Sequence, residues 1–139
     1  MIIADTGFWL ALANGRDRFH PAAVRALDRL REPLVCTWPV MTETCHLLAA
    51  RLGSDAELAF MRSAVEGAFS IFALEPSHLS RLHDLMHKYR DLPMDLADAS
   101  LVLLAEELGS GRIFSTDQRD FGAYRWKNRK PFRNLLSLR

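Results

Sequence analysis

Five acids occupy positions from which they could act together: Asp5, Glu43, Asp98 and Asp117, with Asp95 one helical turn ahead of Asp98. Asp95 and Asp98 open the run Leu92-Pro-Met-Asp-Leu-Ala-Asp-Ala-Ser-Leu-Val-Leu-Leu-Ala-Glu-Glu-Leu-Gly109, otherwise almost wholly apolar and helix-forming. A spacing of three puts the two carboxylates on one helical face, with Cβ atoms about 5–6 Å apart. An acid in the first turn also suits the helix dipole, by about 0.3–1 kcal/mol, so Asp95 taken alone reads equally well as a cap. Carboxylates gathered in one cleft repel each other by about 4 kcal/mol per pair at ~4 Å and an effective dielectric of ~20. Either some are protonated or a cation joins them. Oxygen-only ligands suit the hard ions Mg2+ and Mn2+, which bind through a few carboxylates and keep several waters. One or two such ions could activate a water and stabilise the leaving oxygen in phosphodiester hydrolysis. Thr6, Ser115 and Thr116 stand where hydroxyls could orient the acids or touch phosphate, although hydroxyls at strand ends often only cap turns.

The elements that must position these acids alternate along the chain. Short apolar strands are expected at Met1–Asp5, Leu34–Thr37, Ser70–Leu74 and Ile113–Thr116, with a fifth around Leu135–Leu138. Between them lie helical segments: Phe8–Ala13, one opened by His20-Pro21 with Ala23, Leu27 and Leu30 inward, and one from Pro39 to Gly53 backed by Leu47, Leu48 and Leu52. Ser54-Asp-Ala-Glu57 has capping-box spacing and should start a further helix through Val65. Pro76–Arg90 is amphipathic, with Leu79, Leu82, Leu85 and Met86 inward. This alternation predicts a three-layer α/β/α sandwich on a mostly parallel central sheet of four to five strands. Ligands in such sheets gather beyond the carboxyl ends of the strands, near the topological switch point. The five acids can all project from that edge.

Composition agrees with one domain spanning residues 1–139, of which 49% are apolar. No apolar run approaches the ~20 residues of a membrane span, and the N-terminus reads straight into a strand rather than a cleaved leader. Cys36 and Cys45 read as buried free thiols in a reducing cytoplasm. Residues 112–139 hold eight Lys/Arg against Asp117 and Asp120, a local charge of +6 within a chain of net +1. Arg125, Lys127, Arg129 and Lys130 are interleaved there with Tyr124, Trp126 and Phe132, a mixture suited to phosphate attraction and base stacking, or to a solvated edge.

Asp5-Thr, Thr42-Glu43, Asp98-Ala-Ser-Leu and Ser115-Thr-Asp117-Gln-Arg-Asp120-Phe, in this order and spacing, resemble the PIN-domain nucleases, and among them the VapC-type toxins of bacterial toxin–antitoxin pairs. Each motif alone is weak; four in register over essentially the whole chain are fairly specific. The resemblance implies an endoribonuclease in which Asp5, Glu43, Asp98 and Asp117 form an acidic quartet binding Mg2+ or Mn2+. It further implies a homodimer held inactive by a cognate antitoxin protein. Asp95 is an additional acid found in part of the family, as ligand or supporting group. Asp120 is expected to brace its loop, and Thr6 and Thr116 to support the site or meet substrate. The antitoxin would lie on the surface of the Phe8–Ala13 and Met41–Leu52 helices, motivated by the apolar Phe8, Trp9, Trp38, Leu47 and Leu48, although core packing accounts for most of that apolar content.

Other readings are weaker. His83-Asp-Leu-Met-His87 imitates a zinc helix, but Asp replaces the glutamate and no third ligand suggests itself. A receiver domain lacks its paired acid and lysine here, and a haloacid-dehalogenase phosphatase would need an acid where Gly7 stands. A PIN-like module that grips RNA or protein without cleaving, and a stand-alone RNA-processing or structure-specific nuclease, are the rival functions.

Overall fold

The computed structural model describes residues 1–136. Ile2–Ala4 (β1) and Leu34–Thr37 (β2) are buried at every position, as expected of strands covered on both faces. With Ser70–Phe72 (β3), Arg112–Phe114 (β4) and Arg133–Asn134 (β7) they make a five-stranded sheet in the order β3-β2-β1-β4-β7. Every pairing is parallel, with Ile3 of β1 opposite Val35 on one side and Ile113 on the other. The order reverses at β1, so the carboxyl ends of β1 and β4 flank the switch point.

The flanking helices are α1 (Thr6–Ala13), α2 (His20–Asp28), α3 (Trp38–Leu52), α4 (Ser54–Val65), α5 (Leu79–Lys88), α6 (Leu96–Leu108) and α7 (Gln118–Ala123). None among the described residues is long and apolar enough to cross a membrane. α6 is buried on nearly all sides, from Ala97 and again from Ala99 through Ala105, which makes it a core helix rather than an amphipathic cover. Asp95 caps it, accepting from the Asp98 N–H at 2.8 Å, while Asp98 accepts from the Asp95 N–H at 3.5 Å. Gly109 ends it with φ 67°. A buried hydroxyl pair, Thr37 Oγ1 to Ser100 Oγ at 2.6 Å, ties α6 to the end of β2. Trp9, Phe60 and Phe69 pack α1 against α4, with the Trp9 and Phe69 ring centroids 4.5 Å apart.

Several sequence expectations need correction. Ser54 is the first helical residue, not the cap; Gly53 takes that place at φ 101° and Ser54 makes no capping bond. The fifth strand is β7, ahead of the expected Leu135–Leu138, whose last two residues lie outside the described part. The Pro76–Arg90 helix begins as a 3-10 turn, Pro76–His78, and ends at Lys88. Leu79 is 64% exposed because the helix axis starts only there, and Leu27 and Leu52 also face solvent at helix ends. Arg125–Trp126 (β5) and Lys130–Pro131 (β6) form a small antiparallel hairpin that no sequence periodicity announced.

Candidate active site

Asp5 follows β1 and caps α1. Its Oδ1 accepts from the Phe8 N–H at 2.9 Å and its Oδ2 from the Ser115 hydroxyl, leaving the group only 6% exposed. Burial lifts its pKa to about 6; the charges of Asp117 and Glu43 push the same way, against the two hydrogen bonds. Asp117 follows β4 across the switch point and caps α7, accepting from the Asp120 N–H at 3.0 Å. Its own N–H donates to Ser115 Oγ at 2.9 Å, so one hydroxyl joins the Asp5 carboxylate to the backbone of Asp117. Burial raises the Asp117 pKa; the Asp120 N–H works against that rise, and the Asp120 carboxylate adds to it.

Asp98 sits in the first turn of α6. Burial, then the neighbouring charges of Asp95 and Glu43, lift its pKa to about 7, while bonds from the Asp95 N–H and the Tyr124 hydroxyl draw it back. Glu43 lies in the second turn of α3, also raised, by burial first and by Asp95. The Thr6 hydroxyl offsets part of that rise without reaching full hydrogen-bond alignment, and its buried Oγ1 has no partner among the described residues.

Asp5, Glu43, Asp98 and Asp117 line a single cleft of about 240 Å³, together with Thr6, Gly7 and Thr116. Gly7 is dictated by close approach: a Cβ there would stand 1.9 Å from Thr116 Oγ1. Asp95 lies outside this cleft, bordering an adjoining groove with Glu43 and the exposed Trp38. Asp120 also stays out of it; its N–H donates to the Asp117 cap and its carboxylate pairs with Arg119 Nε at 3.1 Å.

Among the described residues, no three Asp, Glu, His or Cys side chains converge tightly enough to cage an ion by themselves. Mg2+ and Mn2+ do not require a cage, since they bind through one or two carboxylates and keep water in the remaining positions. The donor set fits such an ion: oxygen only, mutually repelling, and accompanied by an orphaned buried hydroxyl at Thr6.

The basic segment departs from expectation. Tyr124 is fully buried and Trp126 is 7% exposed, so neither can stack on a base. The Arg125 guanidinium donates to the carbonyls of Gly122 and Tyr124, and the Lys130 ammonium stands 4.9 Å over the Trp126 ring. Lys127 and Arg129 remain exposed. Similarly, Phe8, Trp9 and Leu48 belong to the core and Leu47 is half-buried, which leaves Trp38, 53% exposed, from the expected apolar surface. His83 and His87 are exposed on α5 with ring centroids 6.4 Å apart. The contributions of Tyr124 and of the Thr37–Ser100 pair were not read from the sequence; each acts on a residue distant in the chain, and no local pattern signals it.

A PIN-domain family model matches residues 2–127. Ribonuclease VapC26 of Mycobacterium tuberculosis is 32% identical over 124 residues, spanning 89% of this chain and 92% of that protein. The crystal structure of Mycobacterium tuberculosis VapC20, a sarcin–ricin-loop-cleaving toxin, superposes with a TM-score of 0.80 at 20% identity. That match covers 86% of this chain and 92% of the other, and bears on the fold. Family model, relative and fold agree, and the chain belongs to the PIN-domain family, among its VapC-type ribonucleases.

Proposed function

We propose that this protein is a Mg2+- or Mn2+-dependent endoribonuclease, the toxin of a toxin–antitoxin pair, with Asp5, Glu43, Asp98 and Asp117 as its acidic set. One observation carries the reading: four carboxylates from four separate points in the chain line one cleft beside the sheet's switch point. The ribonuclease and toxin names borne by VapC26 and VapC20 support it.

When bound, the divalent ion supplies positive charge to the scissile phosphate and activates a water for attack. The protein's residues prepare the site. Asp5 and Asp117 are held by backbone and Ser115 donors, and so present fixed oxygens across the switch point. Asp98, pinned at the head of α6, completes the ligand set, with Asp95 as its cap and supporting acid. Glu43 has a raised pKa and no hydrogen bond of full geometry among the described residues, which suits it to take a proton from the attacking water at a carboxylate oxygen. Thr6 and Thr116 offer hydroxyls to substrate phosphate. Lys127 and Arg129, the exposed members of the basic segment, supply a cationic flank for the RNA backbone.

The antitoxin seat is an apolar groove of about 350 Å³ between α1 and α4, lined by Trp9, Leu12, Ala56, Ala59 and Phe60. A homodimer belongs to the same reading, supported by the exposed Trp38 and Leu96 beside one groove; free Cys36 and Cys45 suit the cytoplasm. Cleavage-site mapping on total cellular RNA, with Mn2+ or with EDTA, tests the activity. Discrete cuts that vanish with EDTA and with Asp98→Asn are expected. RNA binding without turnover would leave a non-catalytic module, and cuts that survive Asp98→Asn would remove the acidic set.

A further inference from the structure

Tyr124 has no solvent exposure, and a buried phenol hydroxyl needs a partner. That partner is Oδ2 of Asp98, at 3.2 Å and 26 residues away in sequence. The ring is gripped edge-to-face by Tyr89 and Phe121, with centroids 5.1 and 5.2 Å apart, so the hydroxyl is not free to swing aside. Its backbone is fixed as well: the Tyr124 N–H donates to Asp120 O at 2.9 Å. Asp98 Oδ2 thus accepts from Tyr124 and, at 3.5 Å, from the Asp95 N–H, while Oδ1 has no donor among the described residues. The donors are neutral. A lysine or arginine in that place would neutralise the carboxylate, whereas a phenol fixes its direction and leaves its charge for a cation.

We propose that Tyr124 is a positioning residue for the acidic site: its hydroxyl turns Asp98 Oδ2 toward the protein and so presents Oδ1 to the divalent ion. This rests on the nuclease reading above. Partners that orient a ligand in this way commonly change metal affinity about 10–100-fold when removed.

The test is calorimetric titration of RNA-free protein with Mn2+, for wild type, Tyr124→Phe and Tyr89→Phe. Tyr124→Phe deletes one oxygen and keeps the ring packing. Tyr89→Phe deletes a hydroxyl from the same aromatic cluster, one that serves the Arg125 backbone and touches no acid. Tyr124→Phe should weaken Mn2+ binding about tenfold, Tyr89→Phe should bind as wild type does, and saturating Mn2+ should restore cleavage by Tyr124→Phe at an unchanged KM for RNA. Wild-type affinity in Tyr124→Phe, or equal weakening in both variants, overturns the assignment and leaves the nuclease reading standing. A wild-type protein that binds no Mn2+ takes down both.

Discussion

Asp5 and Asp98 titrate at about 6 and about 7 in the folded chain, because burial and neighbouring carboxylates resist their ionisation. Both values lie above the unfolded 3.8, so the folded state holds these protons more tightly than the unfolded chain does. The stabilisation is complete below about pH 4 and is lost as pH rises through 6 and 7. Metal-free protein should therefore melt at a lower temperature at pH 8 than at pH 5. Asp98→Asn should recover on the order of 1–2 kcal/mol at pH 8, discounted for partial exposure, while ending cleavage. Mn2+ should restore the melting temperature of wild type at pH 8 more than that of the variant. Scanning fluorimetry across pH 5–8 decides it, and a flat profile for metal-free wild type would refute it. At Gly7, Ala would drive its Cβ into Thr116 Oγ1. Gly7→Ala should displace that hydroxyl and reduce cleavage by about tenfold, while destabilising the fold by no more than about 1–3 kcal/mol, as kinetics and melting measured together would show.

The hairpin of β5 and β6 occupies the basic segment that the sequence suggested for phosphate attraction and base stacking, or for a solvated edge. Its turn places Lys127 and Asn128 at φ 50° and 62°, a conformation that Asn tolerates and Lys seldom adopts. The Lys127 N–H donates to Glu106 on α6, and Arg81 on α5 holds the same carboxylate with paired hydrogen bonds. Trp126 fills a slot against Gly111, where a Cβ would meet Nε1 at 2.3 Å. A rigid indole cannot yield as a long side chain can, so Gly111→Ala should cost about 1–3 kcal/mol and loosen the hairpin, visible as a shift in tryptophan fluorescence and in chemical denaturation. Lys127 and Arg129, both exposed, are the members of the basic set free to meet phosphate. Their joint replacement by Gln should lower the slope of log affinity against log salt by roughly one to two units; an unchanged slope would remove them from the RNA interface. The long apolar helix α6 was legible because its composition and both its caps lie in consecutive residues. The hairpin was not, because two-residue strands carry no periodicity and their pairing depends on tertiary slots such as the one at Gly111.

Across the whole molecule, the parallel sheet and the meeting of four of the five expected acids followed from alternating apolar segments and from where each acid falls relative to a strand end; Asp95, expected with them, borders the adjoining groove instead. What escaped was burial of aromatic residues. Tyr124 and Trp126 read as stacking groups because a sequence does not say which face an aromatic ring meets, and here both are buried. The apolar surface proposed for the antitoxin is the groove between α1 and α4. Ala59 lines it while remaining exposed, so Ala59→Glu should leave folding and RNA cleavage intact while reducing co-purification of the antitoxin at least tenfold; undiminished capture would place the partner elsewhere. The enclosed position of α6 has a mechanical consequence. Asp98 heads the most enclosed helix of the molecule, whereas Glu43 rides on a helix whose first residue, Trp38, is exposed and Asp117 heads a helix of only six residues. An RNA strand drawn into the proposed site would therefore press the short α7 side against α6, the enclosed jaw of the cleft.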